Sequence, residues 1–88
     1  MKLILTVMRD EDTEPVSHSL IQAGFRVTRI ASTGGFLRRG QSTMMIGVDD
    51  EKVQEAIQVI RESLAPPTDP DTKRATVFVL PVEGYLQI

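Results

Sequence analysis

The stretch from Ala31 to Thr43 combines residue types that suit a phosphate-bearing ligand. Its glycines allow a ligand to approach the backbone closely, and its arginines and hydroxyl side chains donate hydrogen bonds that phosphate oxygens accept. Phe36 adds a flat ring on which a base can stack. The residues concerned are Ser32, Thr33, Gly34, Gly35, Arg38, Arg39, Gly40, Ser42 and Thr43. Together they indicate a nucleotide. A β–β connection with a double-glycine turn fits equally well, because Gly34-Gly35 lacks the spacing of a P-loop or dinucleotide fingerprint.

The charge distribution points to an anion in the same part of the chain. All 12 acidic residues lie between Asp10 and Glu14 or from Asp49 onward, although the net charge of the chain is only -2. Residues 15–48 therefore carry four arginines and no acid. An anion fits there. Charge alone favours a solvated basic face without a ligand, so both interpretations stay open.

Enzymatic signatures are missing from the sequence. The chain has no Cys, which excludes disulfides, thiolate metal sites and Cys nucleophiles. His18 is the only histidine, so we expect a surface or partly packed residue and no metal. The acids from Asp10 to Glu14 suit the start of a helix better than a Mg²⁺ site. Small βαββαβ phosphate-ester hydrolases rely on Asn, which is absent. We predict a protein that is not an enzyme and, given its near-neutral charge, does not bind nucleic acid.

Periodicity predicts four strands and two helices that position these residues. The strands are expected at Leu3–Met8, Phe25–Ala31, Thr43–Val48 and Ala75–Val82. The first helix is expected to be capped by Asp12 or Thr13, to hold Pro15 in its first turn and to stop at Gly24. The second is expected to be capped by Asp49 or Asp50, and its core-facing stripe is Val53, Ala56, Ile57, Ile60 and Leu64.

The order β-α-β-β-α-β predicts one domain over residues 1–88. Its fold class is a ferredoxin-like α+β sandwich, with a four-stranded antiparallel sheet and both helices on one face. Such a sheet has a bare face, yet three of the predicted strands are almost continuously apolar where water should force alternation. We therefore expect a homo-oligomer packed sheet to sheet. The apolar run Leu3–Met8 is too short for a signal peptide or a membrane span, so we expect a cytoplasmic protein without membrane insertion.

Four strings of residues resemble the cyclic di-AMP receptor family of PII-like signalling proteins. They are Gly24–Thr28, Ala31–Arg38, Ile46–Val48 and Ala75–Val82, and the resemblance spans nearly the whole chain. It implies a ferredoxin-like subunit and a PII-like homotrimer. It also implies one cyclic di-AMP in each cleft between subunits, with no cofactor and no catalysis. The resulting hypothesis is a second-messenger sensor that signals to an unidentified protein target through ordering of the loop Thr33–Gln41.

The resemblance implies ligand-binding roles for nine positions. Arg26 and Thr28 would face the ligand from the second strand, Thr28 towards a phosphate, and Phe36 would stack on an adenine. Gly47 would supply a backbone contact. Phe78 and Gln87 would complete the pocket across the subunit boundary. The full set is Arg26, Thr28, Gly35, Phe36, Leu37, Gln41, Gly47, Phe78 and Gln87.

Two departures from the family pattern leave an alternative open. Gln41 stands where relatives carry Asn, which re-aims or removes a hydrogen bond to the base edge. The segment Ala65–Lys73 is shorter than in relatives, and Lys73-Arg74 occupy the positions of a Gly-Gly pair. The alternative is a non-enzymatic, oligomeric protein-interaction module that has lost cyclic di-AMP binding or binds another nucleotide.

Overall fold

The computed structural model describes residues 1–32, 40–64 and 73–88. Its strands are β1 (Lys2–Arg9), β2 (Val27–Ser32), β3 (Gln41–Val48) and β4 (Ala75–Pro81), and its helices are α1 (Asp10–Gln22) and α2 (Val53–Ser63). The strands form an antiparallel sheet in the order β2-β3-β1-β4. This arrangement confirms the predicted ferredoxin-like α+β fold. No helix in the described ranges is long and apolar enough to cross a membrane.

The core lies between the helices and one face of the sheet. Alternate residues of β1 and β3 are buried there, because successive side chains of a strand point to opposite faces. Four of the five residues in the stripe predicted for α2 are confirmed, since Ala56 and Ile60 are buried and Val53 and Leu64 pack against the core. The fifth, Ile57, is half-buried and lies outside the core cluster. The apolar core residues are Ile4, Met8, Val16, Leu20, Met44, Ile46, Val48, Ala56 and Ile60.

The start of α1 differs from the prediction. The helix begins at Asp10, directly after β1, so neither Asp12 nor Thr13 caps it and Pro15 lies in its second turn. Both expected caps have other partners: the Thr13 hydroxyl donates to the Arg9 carbonyl at 3.2 Å, and the Asp12 carboxylate accepts from Arg74. The prediction was wrong because α1 follows β1 without a loop, which places Asp12 and Thr13 inside the helix, where Thr13 bonds to a carbonyl four residues earlier and Asp12 bonds to the distant Arg74. The predicted end of α1 is confirmed, since Gly24 follows the helix and has a φ of +94°.

The start of α2 also departs from simple capping. A 3₁₀ turn, Asp50–Lys52, precedes the helix, and neither Asp49 nor Asp50 makes a side-chain cap hydrogen bond. The Asp50 carboxylate lies 2.8 Å from the N-terminal ammonium of Met1. A hydrogen bond from that ammonium and its positive charge lower the pKa of Asp50 below its usual 3.8. Asp50 therefore connects the start of β1 to the turn before α2.

The other face of the sheet carries the remaining side chains of the four strands. The strand register aligns Thr28 with Met45, Met45 with Leu5, and Leu5 with Phe78, which gives one row across all four strands. Phe78 is 52% exposed and Leu80 is 40% exposed. Helices do not cover this open face, so its burial by a second copy of the chain stays a prediction.

Candidate functional site

A cavity of about 330 Å³ lies at the end of the sheet where β3 finishes. It is lined by Gly24, Phe25, Arg26 and Gly47, and by Lys52 and Glu55 from the start of the second helical segment. Two residues that the resemblance assigns to the ligand, Arg26 and Gly47, therefore meet in one concave surface. They come from different parts of the chain, which the sheet brings together.

The end of α1 sets the direction of Arg26. The Phe25 N–H donates to the Leu20 carbonyl at 2.9 Å, and the Gly24 N–H donates to the Ile21 carbonyl at 3.0 Å. This pair of bonds is a Schellman motif, which needs the left-handed backbone of Gly24. It turns Phe25 back onto the core and leaves Arg26 exposed. The helix end thus presents a cation to the cavity.

The charges around the cavity leave Arg26 available for an anion. Lys52 is 3.3 Å from the Glu55 carboxylate, so it is already paired. Arg26 has no hydrogen bond or ion pair with any residue in the three described ranges. Arg29, three residues further along and inside β2, donates to the Glu14 carboxylate at 2.9 Å. Of these two arginines, Arg26 is the one free to donate to a ligand.

Gly47 and Thr28 extend the same surface along the open face. A side chain added at Gly47 would meet the Met1 methyl at 3.1 Å, so glycine keeps the backbone accessible at a crowded point. Thr28 is exposed and lies on the same side of its strand as Arg26, about 7 Å further along. We call Arg26, Thr28 and Gly47 the Arg26 cluster. It offers a guanidinium, a hydroxyl and bare backbone, which suit a phosphodiester.

Gln41 lies at the other end of β3. It is the first residue of the strand and is in register with Arg9. The six positions that separate it from Gly47 correspond to about 20 Å along the strand. Gln41 lines a smaller polar cavity of about 170 Å³ with Arg9, Lys73 and Thr76. The structure therefore does not bring Gln41 together with the Arg26 cluster within one chain.

Phe78 is also remote from the Arg26 cluster, and Gln87 is not among the residues that line its cavity. Phe78 occupies the row that contains Thr28, but at the opposite edge of the sheet, three strand spacings or about 14 Å away. Gln87 is exposed in the tail after β4. Neither residue lines the cavity at Arg26. Gly35, Phe36 and Leu37 lie outside the described residues.

Sequence reasoning missed a set of contacts at the Gln41 end. The Ser42 hydroxyl donates to the Asp10 carboxylate, and the Asp10 N–H donates to the Gly40 carbonyl at 3.1 Å. Arg74 donates to both carboxylate oxygens of Asp12 at 3.0 and 3.1 Å. One signal was available: Ser42 is in phase with the buried Met44 and Ile46, where a polar residue needs a partner. The acids Asp10 and Asp12 therefore do more than favour the helix dipole.

Within residues 1–32, 40–64 and 73–88, no group of three or more His, Cys, Asp or Glu side chains is placed to hold a metal ion.

Comparison with known proteins identifies the family. The sequence model of the cyclic-di-AMP receptor family matches residues 1–68. The chain belongs to the cyclic-di-AMP receptor family. Membership supports cyclic di-AMP sensing by a binding protein, in agreement with the resemblance seen in the sequence. The matched stretch of this receptor contains Arg26, Thr28, Gln41 and Gly47 and ends before Phe78.

A solved structure resembles the receptor over nearly its full length. It is the crystal structure of a functionally unknown protein from Pediococcus pentosaceus ATCC 25745. The two chains are 32% identical with a TM-score of 0.76, and the match covers 99% of the receptor and 96% of the other chain. The two proteins therefore share the ferredoxin-like fold, including the segment beyond residue 68.

Proposed function

We propose that this receptor is a cytoplasmic homotrimer that binds cyclic di-AMP in the clefts between neighbouring protomers. The Arg26 cluster of one protomer holds a phosphodiester, and Gln41, Phe78 and Gln87 of the next protomer contact the rest of the ligand. Gly35, Phe36 and Leu37, which lie outside the described residues, close over an adenine. Ordering of the loop 33–41 on binding then passes the signal to a protein target.

The separation of Gln41 from Gly47 carries this proposal. They lie about 20 Å apart on one strand, and Gly47 has no side chain with which to shorten that distance. On the same face of β3 between them lie Thr43, which is half-buried, and Met45, which offers a phosphodiester no hydrogen bond. The residue proposed for the base thus lies far from the residues proposed for the phosphate within one chain, which supports a site that takes them from different protomers.

The open face of the sheet supports an assembly of several copies. Ile30, Phe78 and Leu80 are between 40% and 52% exposed in a single chain. Apolar surface of this kind favours association with another protein surface. A second copy is the simplest cover, because packing of protomers also places one chain's Phe78 near its neighbour. The number three comes from the resemblance to PII-like proteins.

A thermal melt with cyclic di-AMP tests the proposed function. At about one hundred times Kd the ligand should add about 2.7 kcal/mol of stability per site, a rise in Tm of about ten degrees for a domain of this size. The linear dinucleotide and a guanine-containing cyclic dinucleotide are the controls and should give smaller shifts. The protein-interaction module predicts no shift with any of them. That result, in a sample shown to be a folded oligomer, would contradict cyclic di-AMP sensing by this receptor.

A further inference from the structure

Asp10 holds the chain on both sides of Gln41. Its backbone N–H donates to the carbonyl of Gly40 at 3.1 Å. Its carboxylate accepts a hydrogen bond from the hydroxyl of Ser42. Gly40 and Ser42 are buried and Asp10 is half-buried, so these bonds are partly shielded from solvent. One residue at the start of α1 thus fixes both neighbours of a candidate ligand-binding side chain.

Because side chains alternate along β3, fixing Gly40 and Ser42 also fixes the face to which the Gln41 side chain points. Ser42 is only 2% exposed and points under the helices, with Met44 and Ile46. Gln41 therefore points to the opposite face, where it is exposed. A change in the Ser42 side chain would shift the backbone that carries Gln41 without touching the ligand itself. Asp10 and Ser42 can therefore affect ligand binding only through the position of Gln41.

The first turn of α1, which contains Asp10, is itself held by side-chain hydrogen bonds. Two residues after Asp10, Asp12 accepts two hydrogen bonds from Arg74, and the side chains are 8% and 14% exposed. The Thr13 hydroxyl bonds back to the Arg9 carbonyl. The turn is thus bonded to the start of β4 and to the end of β1, so contacts outside β3 help to fix the position of Asp10.

We infer that Asp10 and Ser42 are positioning residues for ligand binding, and that they set the placement of Gln41 and of the chain that enters β3. The inference rests on the proposed function, because Gln41 matters only if it contacts cyclic di-AMP. Hydroxyl-to-carboxylate hydrogen bonds are among the stronger ones, so their loss has a measurable effect. Neither residue needs to contact the ligand for that effect to appear.

Ser42→Ala tests the inference by calorimetric titration with cyclic di-AMP, well below the melting temperature. We expect a loss of affinity of about tenfold. Ser63→Ala is the matched control, since its hydroxyl donates to the Val59 carbonyl within α2 at 2.7 Å and its loss leaves the bond between Ser42 and Asp10 intact. It should leave affinity unchanged. Asp10→Asn keeps an oxygen that accepts from Ser42 and should lose less affinity than Asp10→Ala.

A double variant separates positioning from a merely structural role. In a Gln41→Ala background, Ser42→Ala should cost no further affinity, although it should still lower Tm as much as before. Full additivity in affinity would overturn the inference, as would a Ser42→Ala protein with lower Tm and normal affinity.

Hydrogen exchange without nucleotide separates failure of this inference from failure of the proposed function. If the wild-type chain binds no cyclic di-AMP, the proposed function fails, and the positioning role is then judged on the amides of residues 40–42. Faster exchange of these amides in Ser42→Ala, but not in Ser63→Ala, supports the inference that the bond between Ser42 and Asp10 holds residues 40–42 in place. Equal exchange in all three proteins overturns it.

Discussion

The two ends of β3 use charged and polar groups in different ways. At the Gly47 end, Arg26 is exposed and has no partner in the described part of the chain. At the Gln41 end, Asp12 and Arg74 form a buried pair, and Asp10 is bonded to Ser42. The first end can therefore give its donors to a ligand, whereas the second uses them to hold strands and a helix together. Donors available to a ligand and contacts that attach α1 to the sheet thus lie at opposite ends of β3.

The largest expected effect concerns the buried ion pair. Arg74→Met removes the partner of Asp12 and leaves its carboxylate buried, so the free energy of unfolding should fall by about 3–5 kcal/mol. Urea denaturation measures this change. The control is Arg29→Met, which breaks an exposed pair with Glu14 and should cost less than about 1 kcal/mol. Equal losses in the two variants would erase the contrast between the two ends.

Arg26→Ala should change ligand affinity without changing stability. Removal of one charge-assisted hydrogen bond is expected to weaken cyclic di-AMP binding by about 10- to 150-fold, from a contribution of about 1.5–3 kcal/mol. Calorimetric titration measures the affinity, and Tm without ligand should stay the same. Arg29→Ala is the matched control, because it removes an arginine of the same segment from the opposite side of the strand. Comparable losses of affinity in both variants would show that general positive charge, and not Arg26, attracts the ligand.

Gly47→Ala sharpens the contrast with a smaller effect. The added methyl lies 3.1 Å from the flexible tip of Met1, which can move aside, so stability should change by less than about 1 kcal/mol. The methyl also covers the backbone that the ligand is proposed to approach. We expect affinity to fall by about fivefold, or about 1 kcal/mol. Unchanged affinity would remove Gly47 from the proposed site.

The order of elements and most of the core could be predicted from the sequence because they depend on short-range periodicity. The stripe on α2 and the stop at Gly24 are examples. The start of α1 could not be predicted. Asp12 and Thr13 are good caps by type, but their partners are Arg74, far along the chain, and the Arg9 carbonyl. For Asp12 a tertiary contact replaced the cap, whereas the Thr13 bond is local and follows from the direct passage of β1 into α1.

The members of the candidate site stay a prediction from the resemblance, and their layout could not be predicted from the sequence. Arg26 and Gly47, which the resemblance assigns to one ligand, line the same cavity. The separation of Gln41 from Gly47 depends on both residues lying at opposite ends of one eight-residue strand. The bond from Ser42 to Asp10 joins residues 32 positions apart, which no local pattern reveals.

The central claim is that each site takes residues from two protomers, and subunit complementation tests it most directly. Arg26→Ala and Gln41→Ala proteins, each impaired alone, are unfolded together, refolded as mixed oligomers and titrated with cyclic di-AMP. For random assembly, about one cleft in four should combine an intact Arg26 with an intact Gln41 and bind with wild-type affinity. If the mixture recovers no tight sites although mixed oligomers have formed, the ligand contacts both residues within one chain and the account is wrong.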